Sequence, residues 1–386
     1  MAEERDWDVF EEEFPSPEEL KKLSPRALEE TALRVRELII RAVELNGGHL
    51  ASNLGVVELT IALHFCFDFS RDRLLFDVGH QAYAHKILTG RAKGMRFLRN
   101  PGGVCGFTAP DESPYDVFTA GHAGSAVSIA AGMAAAYAKR GEGRRVVALV
   151  GDAAMQNGMS LEAMNHAGSI KAPLLVVLND NEMSISATVG AISGQISRFR
   201  TDRRYLHIKD EVKAFVEKLP MVGQAFEKLG GVVSDAARRA LSPGAIFELM
   251  GFRYYGPVDG HDVGGLIGQI ENIKDIQWPA LLHVVTKKGR GQAAAEKDPA
   301  AYHSAKPLRK QSPQAPAPVP ARTLKDVSVE VKSSIDYLEG VDSYSEAFGR
   351  IAKQLAAENP NIAAITAAME DGTGLSIMKD DFPDRV

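Results

Sequence analysis

The sequence predicts an α/β protein with a mostly parallel sheet and helices on both faces. Two apolar runs, residues 146–150 and 174–178, have the length and composition of strands that are buried on both sides. Helix-like stretches separate the predicted strands, and this alternation is typical of parallel sheets with right-handed crossovers. Each run leads into a small, acidic or amide-rich turn, Gly151-Asp152 and Asn179-Asp180-Asn181, where such sheets bind ligands.

The first part of the chain is predicted to be helical. Ser16-Pro17-Glu18-Glu19 has the pattern of a helix start, with Ser as N-cap, Pro at the first helical position and acids in the first turn. Residues 26–46 carry apolar side chains at helical spacing, and Asn46-Gly47-Gly48 predicts the end of that helix. An apolar helix is expected over residues 56–67.

Three further strands complete the predicted sheet. Residues 74–78 are expected to form the first strand, which leads into the polar set Gly79-His80-Gln81. Residues 252–255 and 281–285 are expected to form a short strand and the last core strand. Residues 125–138 predict a helix of small residues, whose first N–H groups face an anion if it packs closely on the sheet.

The composition of the chain predicts its domains. Residues 1–305 are expected to form one α/β domain, with a mobile insertion at about 184–245 that carries the basic cluster Arg198 to Arg204. We interpret that cluster as a solvated face rather than a phosphate site. A Pro-rich linker is predicted over 306–340. A helix at 344–357 and a strand at 362–366 then predict the truncated beginning of a second α/β domain within 341–386.

The composition also excludes several classes of function. The 386 residues are 45% hydrophobic and carry a net charge of −5, so we expect no nucleic-acid partner. No apolar run approaches the roughly 18 residues of a membrane span, and the acidic start lacks the apolar region of a signal peptide. Cys66 and Cys105 lack metal or disulfide spacing and are expected to be buried. We therefore expect a cytoplasmic protein with no membrane partner.

The two strand ends predict a site for a hard cation. Mg²⁺ takes about six oxygen ligands, some of them from substrate phosphates. Asp152 offers a carboxylate oxygen, Asn181 an amide oxygen and Met183 a main-chain carbonyl. By themselves, Gly-Asp and Asn-Asp-Asn are most often turns, but both follow apolar strands, and Asp152 and Asn181 are 29 positions apart. This spacing is similar to the thiamine-diphosphate signature, in which a bound diphosphate supplies the remaining oxygens.

Several long motifs extend this resemblance to a family. The chain resembles the 1-deoxy-D-xylulose-5-phosphate synthase family of transketolase-like enzymes over nearly all of residues 49–386. The motifs are His49-Leu50-Ala51-Ser52-Asn53-Leu54-Gly55-Val56-Val57-Glu58-Leu59, Asp77-Val78-Gly79-His80-Gln81, Asn165-His166-Ala167-Gly168, Leu178-Asn179-Asp180-Asn181-Glu182-Met183-Ser184-Ile185-Ser186, Gly256-Pro257-Val258-Asp259-Gly260-His261-Asp262 and Thr286-Lys287-Lys288-Gly289-Arg290-Gly291.

The resemblance implies a fold, a reaction and its ligands. The fold is the thiamine-diphosphate-binding fold, with residues 1–305 as the diphosphate-binding domain and 341–386 as the start of the pyrimidine-binding domain. Pyruvate and glyceraldehyde 3-phosphate are joined with loss of CO₂ to give 1-deoxy-D-xylulose 5-phosphate, which feeds isoprenoid-precursor and thiamine biosynthesis. The cofactors are thiamine diphosphate and Mg²⁺. A homodimer is implied as well.

The resemblance also assigns roles to individual residues. It places His49 and His80 at the reacting end of the cofactor and His303 in the same active site, where neutral imidazoles suit proton transfer. His80 is also a cofactor contact. His64, His207 and His283 are interpreted as structural. The remaining residues implied to contact the cofactor are Gly121, His122, Ala123, Asp152, Ala153, Ala154 and Asn181.

Three positions depart from the family pattern. Ala153 stands where Gly is usual, and its methyl group fits only if φ is negative there. Gln292 stands where a Tyr is usual, and Ala123-Gly124-Ser125 lacks two hydroxyl groups. Family members also continue into the pyrimidine-binding domain, which carries the glutamate that activates the cofactor; we do not assign that role to Glu370. We therefore expect this chain to need a second polypeptide for turnover.

Two other interpretations stay open. The chain could be another thiamine-diphosphate enzyme, such as a split transketolase or a 2-oxoacid dehydrogenase subunit. A sugar-phosphate donor in place of pyruvate distinguishes these enzymes. The chain could also be a catalytically inactive homologue or fragment, and titration with thiamine diphosphate and Mg²⁺ separates a binding protein from a non-binding one.

Overall fold

A parallel sheet organises the larger part of the protein in this computed structural model, which describes residues 8–181, 244–307, 340–366 and 369–386. Every pair of neighbouring strands is parallel, and the strand order is β1-β2-β3-β5-β4. The strands are β1 (Arg73–Phe76), β2 (Val146–Gly151), β3 (Leu174–Asp180), β4 (Arg253–Asp259) and β5 (Ala280–Val285). The expected α/β fold is therefore confirmed.

Helices are numbered here in chain order over the described residues. The α-helices are α1 (Asp8–Glu11), α2 (Pro17–Leu20), α3 (Pro25–Asn46), α4 (Leu50–Leu54), α5 (Val57–Cys66), α6 (Tyr83–Lys86), α7 (Ala126–Arg140), α8 (Asp152–Met155), α9 (Gly158–Ser169), α10 (Ala245–Leu249), α11 (Val263–Ile273), α12 (Ala293–Lys297), α13 (Tyr344–Glu358), α14 (Glu370–Thr373) and α15 (Ser376–Lys379). Residues Ile87–Arg91, Lys93–Phe97 and Pro383–Arg385 form other short helical segments.

Alternating strand residues bury the sheet between two layers of helices. Val146, Ala148 and Val150 pack in one apolar cluster with α7 and α9. Val147 and Leu149 point to the other face and pack in a second cluster with α5 and α11. Because both faces are covered, β2 and β3 read as continuous apolar runs, which is why their sequences predict them well.

The capping residues predicted for the first helices are confirmed. Ser16 and Glu19 form a reciprocal capping box at the start of α2, with Pro17 at the first helical position. Helix α3 ends at Gly47, whose φ of 73° lies in the left-handed region that favours glycine. A third apolar cluster lies between α3 and α4, α5 and α6, away from the sheet.

Strand β4 is longer than the sequence predicts. It continues past Tyr255 through Gly256-Pro257 to Asp259, although proline cannot donate a ladder hydrogen bond. The pairing with β5 shifts register between Tyr255 and Val258, and β4 lies at the edge of the sheet. An edge strand with an irregularity tolerates proline, so the prediction of a strand that ends at 255 was too short.

The cysteine prediction was half right. Cys66 is buried at the end of α5, and burial raises the pKa of its thiol to about 12. Cys105 is exposed, against expectation, because it lies in an irregular loop after the helical segment Lys93–Phe97. No helix in the described ranges combines the length and apolar character that a membrane crossing requires.

Residues 340–366 and 369–386 belong to a separate, smaller unit. Helix α13 forms as predicted, but the strand expected over 362–366 was wrong, since those residues adopt no regular structure. The described part of this unit offers no strand to pair with, and the Ala364 N–H instead donates to the carbonyl of Arg385 at 2.8 Å.

The domain boundaries stay predictions. Nearly all of the insertion at about 184–245 and of the linker at 306–340 lies outside the described residues, as do His207 and the cluster Arg198 to Arg204.

Candidate active site

The predicted cation ligands lie at adjacent strand ends. Gly151 on β2 pairs with Asn179 on β3, so Asp152 and Asn181 follow these strands at the same edge of the sheet. Asp152 is buried and begins α8, and its carboxylate accepts the Ala153 N–H at 2.9 Å. Asn181 is half-buried. We call Asp152 and Asn181 the strand-end group; Met183, the third predicted ligand, lies outside the described residues.

The other polar residues of the β3 end hold the sheet together. The Thr286 hydroxyl donates to Asn179 Oδ1 at 2.6 Å. Asp180 Oδ2 lies 2.8 Å from His283 Nε2, and the other ring nitrogen of His283 lies 2.7 Å from the Tyr254 hydroxyl. These buried bonds join β3 to β5 and β4, which agrees with the structural role expected for His283.

Asp77 hydrogen-bonds to the loop before α7, which is expected to contact the cofactor. This buried carboxylate, just after β1, accepts the N–H groups of Gly124 at 2.9 and 3.1 Å and of Ala126 at 3.1 Å. Burial raises the pKa of Asp77, and these hydrogen bonds partly oppose that shift. Gly121, His122 and Ala123 are exposed in the same loop. Asp77 thus fixes the loop that presents them at the start of α7.

Gly124 in this loop cannot carry a side chain. Gly124 has a φ of 93°, and a Cβ added there would lie 2.7 Å from the side-chain carbon of Asn157. Asn157 in turn caps α9 and donates to the Ala123 carbonyl at 3.5 Å. The loop is therefore packed between the ends of β1 and α9.

Three histidines that are distant in sequence meet in one cluster. The ring centroids of His49 and His80 are 5.4 Å apart, those of His49 and His303 5.7 Å, and those of His80 and His303 5.4 Å. Phe107 lies 5.5 Å from the His49 ring. The structure thus brings together all three histidines that the resemblance names as catalytic, and we call them the histidine cluster.

Burial keeps the histidine cluster neutral. Desolvation lowers the pKa of His49 to about 4 and of His303 to about 3, and it holds that of His80 well below its ordinary value. The Nδ1 atoms of His49 and His80 are buried without a hydrogen-bond partner in the described ranges. Such neutral rings with unsatisfied nitrogens are suited to hydrogen bonding or proton exchange with a ligand.

Lys288 is a site residue that sequence reasoning did not assign. It is 5% exposed and follows β5, and its positive charge lowers the pKa of His49, His80 and His303. Burial lowers the pKa of Lys288 itself to about 8, while the Asp152 carboxylate opposes that shift. Lys288 therefore connects the two parts of the site electrostatically. Lys288 closely follows a predicted strand and belongs to the motif that begins at Thr286. This position could have indicated a site residue from the sequence.

Short helix α4 links the histidine cluster to the Lys288 loop. The Ala51 N–H donates to the Tyr302 carbonyl at 3.0 Å, and the Ala51 carbonyl accepts the Gly289 N–H at 2.8 Å. Ser52 Oγ lies 3.3 Å from His303 Nδ1.

Ala153 fits its position without backbone strain. It lies inside α8, and it is not among the non-glycine residues with positive φ in the described chain. The φ of Ala153 is therefore negative, so its methyl group fits at this position. Gln292 is the residue before α12 and has an extended φ of −124°.

The residues present fit thiamine diphosphate and Mg²⁺. No three His, Cys, Asp or Glu side chains converge as a metal site in the described ranges. One carboxylate beside an amide suits a cation whose other ligands are diphosphate oxygens. The unsatisfied Nδ1 atoms of His49 and His80 and the buried charge of Lys288 suit an anionic, hydrogen-bonding ligand. Ala154 is half-buried beside Ala153 at the start of α8.

Comparisons with known proteins identify the family. The family model described as 1-deoxy-D-xylulose-5-phosphate synthase matches residues 12–286. The enzyme of that name from Carboxydothermus hydrogenoformans is 44% identical over 97% of this chain and 57% of its own length. That from Thermomicrobium roseum is 43% identical over 98% of this chain and 56% of its own length. The chain thus spans about half the length of the curated relatives it matches.

Solved structures agree on the fold. Transketolase from Campylobacter jejuni superposes with a TM-score of 0.53 at 18% identity, covering 94% of this chain and 48% of its own. Pichia stipitis transketolase, in complex with sedoheptulose 7-phosphate, gives a TM-score of 0.52 at 16% identity, covering 92% and 47%.

Proposed function

Since this chain belongs to the 1-deoxy-D-xylulose-5-phosphate synthase family, we propose that it is the diphosphate-binding part of an enzyme that makes 1-deoxy-D-xylulose 5-phosphate. The substrates are pyruvate and glyceraldehyde 3-phosphate, and CO₂ is the second product. The observation that carries the proposal is the cluster of three neutral histidines, joined electrostatically to Asp152 through Lys288.

We assign cofactor binding first. When bound, thiamine diphosphate supplies the carbanion chemistry that side chains do not. Asp152, Asn181 and the Met183 carbonyl would hold Mg²⁺, and Lys288 would balance the charge of the diphosphate. The loop at Gly121, His122 and Ala123 and the main chain of Ala153 and Ala154 line the binding site.

The histidine cluster is assigned proton transfer and orientation. The Nδ1 atoms of His49 and His80 would hydrogen-bond to the bound ligand, since these nitrogens have no partner in the described chain. Because their pKa values lie well below 7, both rings are neutral at physiological pH, and each offers one nitrogen that can accept a proton and one N–H that can donate one. His303 completes the same wall, with Ser52 beside its Nδ1.

The relatives are about twice as long as the part that this chain matches, and we assign the rest of the active site to that additional length. A polypeptide with the pyrimidine-binding half, in the same or another chain, completes the site, and two copies form the homodimer. A cytoplasmic location also stays a prediction.

A complementation assay tests the function. The 386-residue chain is mixed with thiamine diphosphate, Mg²⁺, pyruvate and glyceraldehyde 3-phosphate, with and without the C-terminal half of the Carboxydothermus hydrogenoformans relative. We expect product only in the complemented mixture. Turnover of a sugar-phosphate donor in place of pyruvate would instead support a transketolase. Calorimetry with no cofactor binding in either mixture would support an inactive homologue.

A further inference from the structure

One buried side-chain amide, that of Asn53, hydrogen-bonds to the main chain of both His49 and His80. Asn53, in α4, is fully buried and donates from Nδ2 to the carbonyl of His49 at 2.6 Å and to that of His80 at 2.7 Å. Its Oδ1 accepts the Tyr83 N–H at 2.9 Å. Both amide protons and the amide oxygen of Asn53 are therefore used between segments that are 31 residues apart, from His49 to His80.

Tyr83 closes this arrangement from the other side. Its hydroxyl accepts the His49 N–H at 3.2 Å, and its ring is fully buried. Asn53 thus holds the His49 carbonyl while Tyr83, itself bonded to Asn53, holds the His49 N–H. The main chain of His49 is bonded on both sides.

The backbone at His80 needs such a restraint. Val78 has a φ of 62°, a left-handed conformation that is unfavourable for a β-branched residue, and Gly79 follows with a φ of 84°. A turn of this kind persists only where its surroundings hold it. The bond from Asn53 to the His80 carbonyl acts directly after this turn.

The rings themselves have little else to orient them. Nδ1 of His49 and Nδ1 of His80 make no hydrogen bond in the described chain, whereas His303 has Ser52 beside its Nδ1. The placement of His49 and His80 therefore depends on their main chain and on packing. We propose that Asn53 is a positioning residue that sets the separation of His49 and His80; this inference rests on the proposed function.

Histidine titration in the cofactor-free chain tests this inference. Ring ¹⁵N spectra of the full chain between pH 3 and 8, assigned with His49→Gln, His80→Gln and His303→Gln, report each ring separately. In Asn53→Ala, water enters as the two segments separate, so the midpoint of His49 rises from about 4 toward 6.5, and that of His80 rises as well. His303, with a pKa of about 3, stays neutral through nearly all of this range in both proteins.

Matched variants separate positioning from general loosening. Asn46→Ala removes a similar amide, which donates to the carbonyls of Ala42 at 2.9 Å and Arg96 at 3.1 Å, and should shift neither ring. Ser52→Ala should move His303 alone. Asn53→Ser keeps one donor, should give an intermediate shift, and serves if the alanine variant does not fold.

The outcomes are distinct. Unchanged midpoints of His49 and His80 in a folded Asn53 variant, or equal shifts in Asn46→Ala, would overturn the inference. If the inference holds, thiamine diphosphate with Mg²⁺ also binds about 10-fold more weakly to Asn53→Ala, as removal of a supporting hydrogen bond typically does. If the unsubstituted chain binds no cofactor, the proposed function is contradicted. The histidine titrations still test the role of Asn53, because they are carried out without cofactor.

Discussion

The strand-end group and the histidine cluster are built in different ways. Asp152 and Asn181 follow two strands that pair over their full length, so the ladder itself sets their spacing. His49, His80 and His303 come from loops 31 and 223 residues apart and are joined by single hydrogen bonds to α4. The first group is supported by regular structure and the second by desolvation and a few main-chain contacts. Substitutions should therefore act locally in the first group, whereas in the second each supporting bond should affect the rings that it holds.

The largest effect is expected at the strand-end group. Asp152→Ala removes the only carboxylate assigned to Mg²⁺ and should weaken Mg²⁺-dependent binding of thiamine diphosphate at least about 100-fold, the upper range for loss of a supporting ligand. Isothermal titration calorimetry measures the affinity. Asp275→Ala is the control, since this exposed carboxylate pairs only with Arg145 in the described chain and should leave binding unchanged. Equal affinities in the two variants would contradict the assigned site.

Lys288 links the two groups, and its removal should affect both. In the proposed site, Lys288→Met would remove one charge-assisted contact to the diphosphate, which corresponds to about 10-fold in affinity. The same change should raise the pKa of all three clustered histidines, because their repulsion by the ammonium is lost. The neighbouring Lys287 is exposed and paired with Glu296, so Lys287→Met should do neither. Ring ¹⁵N titration measures the pKa values of the histidines, and calorimetry measures the affinity for the cofactor.

Cofactor affinity should depend on pH through Lys288 rather than through the histidines. With pKa values of about 4 and about 3, His49 and His303 stay neutral from pH 5 upward. Lys288 has a pKa of about 8, so it is charged below that pH and loses its charge above it. Affinity for the anionic cofactor should therefore fall above pH 8, where Lys288 loses its charge. A fall that persists in Lys288→Met would contradict this assignment.

The loop at the start of α7 should respond to Asp77 more weakly. Asp77→Asn keeps one acceptor oxygen but places N–H groups against the N–H groups of Gly124 and Ala126, at a cost of about 2 kcal/mol in unfolding free energy. Cofactor affinity should fall several-fold. Asp72→Asn, before β1, also disturbs bonds to backbone N–H groups but lies at the opposite end of the strand. It should leave affinity unchanged, and urea denaturation measures stability in both variants.

The smallest effect is expected at Ala153. Because Ala153 is helical, Ala153→Gly should cost about 1 kcal/mol or less of stability and leave cofactor affinity nearly unchanged. Tighter binding by the glycine variant would show that the methyl group does obstruct the diphosphate.

The two groups also differ in how far sequence alone predicts them. The strand-end group follows from local patterns, since apolar runs predict β2 and β3 and strand ends predict where ligands bind. The histidine cluster came only from the resemblance, because no local pattern brings residues 49, 80 and 303 together. Lys288 was missed because a lysine after a strand is usually exposed, and its burial depends on the whole domain. The strand predicted at 362–366 failed for lack of a partner strand, which a local pattern does not report.

Gly48 and Ala305 form an isolated antiparallel β-bridge, which bears on the order of folding. These residues exchange both main-chain hydrogen bonds, at 2.9 and 2.8 Å, across 257 residues of chain. Contacts of such long sequence separation form late, because the entropy of closing the loop must be paid first. The last strand of the sheet along the chain, β5, ends at Val285, so the sheet and the docking of the segment that carries His303 are completed at nearly the same stage. The histidine cluster should therefore assemble together with the full sheet and not before it.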